Sequence, residues 1–131
     1  MNLTKYSRIR LMESFARWDV PKEFAEPFYN YLVWGFRPGG CFEAVLANDF
    51  AKAISRSHPN NTVEAFKALV GWIRDTVPKE AVGSYEKVNT WCGINPEQRR
   101  IILEQYRLIY TNQEEVWKIL QDEKSVEPVL Y

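Results

Sequence analysis

The residues best suited to chemistry begin with a cation and two glycines, Arg37, Gly39 and Gly40, in the run Arg37-Pro38-Gly39-Gly40, with Asn48 and Asp49 following further along. A cation and two permissive backbone positions just ahead of a helix favour an anion, because a helix start presents unpaired N–H groups and the positive end of its dipole. A phosphate or a carboxylate is the ligand such a turn would take. The same residues also describe an ordinary turn in which the glycines only supply unusual dihedral angles.

Asp49 raises a second question. If residues 40–57 form one helix, Phe42, Leu46, Phe50 and Ala53 mark its apolar face. At about 100° per residue, Asp49 then lies within about 20° of Phe42, and Arg56 falls near the same line. A carboxylate on the core side needs a partner: Arg56 two turns on, a neighbouring helix N-terminus, or a ligand. It serves either as a polar clamp between helices or as a ligand group. Farther along, Ser84 opens a helix and Lys87 falls in its first turn, where a cation opposes the dipole unless an anion is near. A solvated lysine explains that position equally well.

Five tryptophans offer stacking or anchoring surfaces. Most of the aromatics are expected in the core; Trp34 borders the glycine turn, Trp72 leaves the apolar stripe of its helix, and Trp91 ends the helix that Ser84 begins, so these three are the candidates for stacking or anchoring.

Other chemistries lack their residues. The single histidine, His58, sits in a loop beside Pro59, and neither Cys41 nor Cys92 belongs to a CxxC pair or to a recognised nucleophile segment. Three scattered Cys and His residues do not make a zinc site, and neither the phosphate loop of the NTPases nor the Rossmann glycine fingerprint occurs. No cofactor and no metal is expected, and free reduced thiols are.

Seventeen Lys and Arg balance seventeen Asp and Glu, so no net field draws the chain to nucleic acid. The basic N-terminal residues Lys5, Arg8, Arg10 and Arg17 are interrupted by Glu13 and Asp19 and read as a solvated helix face. No apolar stretch reaches membrane-spanning length and no secretory signal is evident, so a cytoplasmic protein is expected.

The elements that must position these residues are helices. Aromatics at 15% and apolar residues at 46% supply a core, and no run alternates with the period of a strand. The expected fold is all-α, a compact single-domain bundle of about six or seven short helices over residues 1–120, with a loose tail at 121–131. Thr4 caps a first helix over about 4–18. Asp19 and Pro21 start a second that ends at Gly35. The third spans about 40–57, and a fourth, capped by Asn61 or Thr62, ends near Val77 with Phe66, Leu69, Val70, Ile73 and Val77 on one face. Ser84 opens a fifth that Gly93 ends, Asn95-Pro96 starts a sixth reaching about Tyr110, and Thr111 or Asn112 caps a last one to Leu120.

From Tyr29 to Trp91 the sequence resembles small phage and prophage proteins of unassigned activity that carry Pro-Gly-x-Phe, then Ala-Val-Leu-x-Asn-Asp, then Gly-Ser. The matching residues are Pro38, Gly39, Phe42, Ala44, Val45, Leu46, Asn48, Asp49, Gly83 and Ser84. Where those proteins have Ala-Asp after the third helix, this chain has Arg56-Ser57-His58. The resemblance implies a phage setting, and short phage accessory proteins without catalytic residues are often inhibitors of host defence. Analogy of this kind speaks to setting rather than to chemistry.

The expectation is therefore a non-enzymatic phage accessory protein that sequesters a small anionic, nucleotide-like ligand, between helices or across an oligomer interface. Arg37, Gly39 and Gly40 would approach phosphate, Asn48 and Asp49 would bond ribose or base, Trp34 would stack, and Arg56, Ser84 and Lys87 complete the set. The alternative is an inhibitor that grips a host defence enzyme through an exposed aromatic surface anchored by Trp72. A third option, an enzyme with Asp49 or Glu43 as general base, requires turnover of a nucleotide.

Overall fold

In the computed structural model, which describes residues 5–57 and 61–109, the chain is helical throughout, with no strand among those residues. The expected cap Thr4, His58, the last helix over 111–120 and the tail at 121–131 lie outside the described residues.

Helix α1 (Lys5–Arg17) buries Leu11 and Phe15 and ends in a turn at Trp18 and Asp19. Asp19 is not the expected cap. It takes a left-handed conformation (φ 56°), and the chain enters a single 3₁₀ turn, Lys22–Phe24, directly from Pro21. Helix α2 (Ala25–Trp34) follows, with Pro27 in its first turn, where a missing N–H costs nothing. Gly35 closes it in the left-handed conformation (φ 70°), and its missing Cβ also makes room: a side chain there would fall 2.4 Å from Nη2 of Arg99.

The third helix is not continuous. Helix α3 (Gly40–Leu46) and helix α4 (Phe50–Arg56) are separated by a corner at Ala47-Asn48-Asp49, with Asn48 left-handed (φ 62°). Asparagine tolerates that conformation, and aspartate caps helices well, so the Asn-Asp pair ends one helix and begins the next. Helix α5 (Val63–Thr76) is capped by Thr62, whose hydroxyl accepts from the Ala65 N–H. A second 3₁₀ turn, Lys79–Ala81, leads to helix α6 (Tyr85–Gly93), capped by Ser84. Helix α7 (Pro96–Gln105), capped by Asn95 with Pro96 in its first turn, stops short of the expected Tyr110.

The core is aromatic, and its centre is Trp72, 0% exposed. Its ring stacks on Phe15 (centroids 4.2 Å apart), meets the edge of Phe28, and donates its Nε1–H to Ser14 Oγ at 2.8 Å. The expectation that Trp72 leaves the stripe of its helix to face a partner is overturned. α1 packs on that flank of α5 and widens the buried face beyond the single stripe. Trp91, also buried, donates to the Tyr31 carbonyl at 3.0 Å, while the Tyr31 hydroxyl donates to the Ala81 carbonyl at 2.6 Å. An indole N–H or phenol O–H stripped of water needs such a partner.

Arg99 is the buried charge among the described residues. Its guanidinium lies beneath Gly35 and donates from Nη2 to the carbonyls of Trp91 and Ile94, at the C-terminal end of α6. The negative end of the helix dipole favours a cation there. Burial still pushes its pKa below the ordinary arginine value.

Candidate functional site

The corner between α3 and α4 locks onto the start of α6. The Gly83 N–H donates to the Leu46 carbonyl at 2.7 Å, and the Asn48 amide donates to the Gly83 carbonyl at 3.4 Å. Asp49 caps α4 through the Lys52 N–H at 3.4 Å and accepts from the Tyr85 hydroxyl at 2.8 Å. The two parts of the sequence pattern, Asn48-Asp49 and Gly83-Ser84, therefore meet in space. Because the third helix breaks at Asp49, the carboxylate does not point toward the core, and its partner is Tyr85 rather than Arg56.

Two flanks leave this corner. With Ala53 buried, about 100° per residue puts Lys52 and Arg56 on one side of α4 and Phe50 and Ile54 on the other. The Lys52 ammonium sits 5.3 Å from the centroid of the Tyr85 ring. Arg56 lies against Gly40, where a Cβ would come within 2.9 Å of Nη1. Gly39 holds φ 101°, a conformation only glycine adopts freely, as it leads into α3. Along the same flank Arg37 pairs with Glu43 and with the Asn89 amide oxygen. The side-chain hydrogen bond to Glu43 raises the Arg37 pKa. Partial desolvation, and then the bond to Asp49, raise that of the Tyr85 hydroxyl.

The structure thus gathers Arg37, Gly40, Asp49 and Arg56 along one polar seam with Glu43, which sequence reading had considered only as a general base, and with Lys52, Tyr85 and Asn89, which it had not singled out. Arg37 and Asp49 have their partners within the protein, so the seam joins α3, α4 and α6. Tyr85 had a signal in sequence only in that it follows the Ser84 cap; nothing in spacing showed that it would reach Asp49. Ser84 is occupied as a cap, accepting from the Lys87 N–H at 3.1 Å.

On the other flank lies a cleft of about 200 Å³ with the buried Val45, Ile73 and Val77 and the more exposed Phe50, Val70 and Val82 in its lining, together with the exposed polar residues Asn48, Arg74 and Lys79. Lys87 reaches the same loop, where its Nζ donates to the Lys79 carbonyl at 3.3 Å. Arg74, Lys79 and Lys87 form no ion pair among the described residues. Sequence reading missed Arg74 and Lys79, since neither marks a turn or breaks a helix pattern.

Trp34 is 40% exposed at the end of α2, and Phe36 beside it is 61% exposed. Cys41 and Cys92 are free and half-buried, and desolvation pushes both thiols above their ordinary pKa, the direction opposite to that of an activated thiol. Among the described residues no three His, Cys, Asp or Glu side chains come together to hold a metal ion, and no helix is long and apolar enough to cross a membrane. No protein-family model, curated protein or solved structure matches the chain.

Proposed function

We propose that this protein is a non-enzymatic binding protein for a small anionic ligand carrying a flat apolar group, of nucleotide-like chemistry, held at the cleft beside the α3–α4 corner. The observation that carries this reading is the cleft itself, an apolar lining with two exposed cations. Ligand sites are concave, mostly apolar, and oriented by a few polar groups. At about 200 Å³ the cleft takes one ring system, with the charged part of the ligand left outside beside Arg74 and Lys79. The Asn48 amide supplies a polar contact. The resemblance to phage proteins supports a setting in which such binding sequesters a defence signal in the host cell.

Calorimetric titration with mononucleotides and cyclic dinucleotides tests it. Binding by the intact chain should weaken at least tenfold in Arg74→Gln and Lys79→Gln, with helicity unchanged. Affinity that is indifferent to both substitutions, or no binding by any member of the panel, would sink the proposal.

Exposed Trp34 and Phe36 favour a second reading, an inhibitor that docks on a host defence protein. This requires the surface anchor to be Trp34 and Phe36 in place of the buried Trp72. Co-purification of one host protein with the intact chain, lost in Trp34→Ala with Phe36→Ala, is the result it needs.

A further inference from the structure

The basic residues of α1 read from sequence as a solvated face, yet two of them line a concavity. Arg10 and Arg17 line a pocket of about 260 Å³ together with Ser14, Asp75, Thr76, Tyr106 and Arg107. Three arginines thus line one concavity with one acidic residue, and Asp75 already accepts from the Trp18 indole N–H at 3.1 Å. Arg17 and Arg107 form no ion pair among the described residues. Arg10 donates to the Tyr6 hydroxyl.

The charge of the pocket points to an anion, and two further features bear on how it would be held and tested. Thr76 is 9% exposed, lines the pocket, and has no partner for its hydroxyl among the described residues. Its hydroxyl is therefore open to the pocket and available to a ligand; the buried polar atom left without a partner among the described residues is Nε of Arg99. Arg107 holds a left-handed conformation (φ 57°) at the end of α7, where the Leu108 N–H donates to the Leu103 carbonyl. Glycine is the usual residue at such a helix end, and nothing in the local backbone calls for arginine.

We infer that this junction of α1, α5 and α7 is a binding site for a phosphate group, as inorganic phosphate or as a small phosphomonoester, separate from the cleft beside the α3–α4 corner. Planar guanidinium forks match the oxygens of a phosphate two at a time, and the Thr76 hydroxyl donates a further hydrogen bond. The pocket takes the phosphate head and a small substituent.

Calorimetric titration of the intact chain at low ionic strength, first with inorganic phosphate and then with phenyl phosphate, tests the site and tells the two sources apart by which binds more tightly. Arg107→Gly is the informative variant. Glycine suits the left-handed position, so the fold should be kept or slightly stabilised while one guanidinium is removed. Phosphate affinity should fall at least tenfold in Arg107→Gly and in Arg17→Gln, and severalfold in Thr76→Val. It should be unchanged in Arg74→Gln, which separates this site from the cleft. Absence of phosphate binding by the native chain, or native affinity in a folded Arg107→Gly variant, would overturn the inference.

Discussion

Two hydrogen bonds of the same length, 2.8 Å, tie an aromatic side chain to a small polar one across long stretches of chain, and they work under opposite conditions. Trp72 donates to Ser14 inside the core between α5 and α1; Tyr85 donates to Asp49 on the exposed seam between α6 and α4. Trp72 is 0% exposed, so losing its partner leaves the indole N–H with most of its desolvation cost. On the seam water takes over at once. The first contact holds the fold together, and the second keeps a corner in register while remaining easy to open. Candidate ligand chemistry lies beside the second kind of contact, where exchanging a partner is cheap.

The sharpest way to break this contrast is on the core side. Trp72→Ala should destabilise the chain by about 3–5 kcal/mol, the range for removing a large buried aromatic. Ser14→Ala, which keeps the packing and orphans the indole N–H, should still cost about 1–3 kcal/mol. Urea denaturation measures both. A Ser14→Ala variant as stable as the native chain would show that the core bond is no more valuable than the surface one.

Tyr31 extends the same comparison to pH. Burial raises its pKa well above the ordinary tyrosine range, with the nearby Cys92 and Glu43 adding to the effect. The folded state therefore holds the phenolic proton more tightly than the unfolded chain does. Its contribution is complete below the unfolded pKa of about 10 and is lost as pH climbs above that value, at up to about 1.4 kcal/mol per pH unit. Stability measured across the alkaline range should fall on this account, and Tyr31→Phe should flatten the slope even though it sacrifices the bond to Ala81. Tyr85, exposed on the seam and also raised in pKa, should flatten that slope less than Tyr31 when replaced by phenylalanine.

The smallest effects belong to the corner. Asp49→Ala removes the cap of α4 and should cost about 0.5–1 kcal/mol, the low end for an N-cap, in keeping with a 3.4 Å bond. Tyr85→Phe should cost less still, because Asp49 keeps its capping contact. If Tyr85→Phe proved the more damaging in thermal melts, the seam would be part of the fold's main support rather than a latch on it.

Much of the secondary structure was legible because the signals are local. Thr62, Ser84 and Asn95 each stand one residue before a helix and bond to its first turn, and Gly35 terminates α2. The corner at Asn48-Asp49 was misread because the apolar positions Phe42, Leu46, Phe50 and Ala53 keep a helical spacing straight through it. The capping character of Asn-Asp was the only contrary signal. Trp72 was misread for a related reason. A stripe drawn from one helix assumes one packing partner, and α5 is covered on more than one side.

Composition and capping chemistry by themselves determined that this chain is helical, roughly where its helices begin, and that it carries no Cys and His set spaced for zinc. These follow from contacts within a few residues of one another. Only the tertiary structure decided that Trp72 is core while Trp34 stays exposed, and that Asp49 pairs with Tyr85. It also brought Arg74 and Lys79 into the lining of one cleft with Val45, Phe50 and Val70. Those outcomes depend on which faces of separate helices meet, and the burial and long-range hydrogen bonds that select those faces leave no periodic trace along the chain.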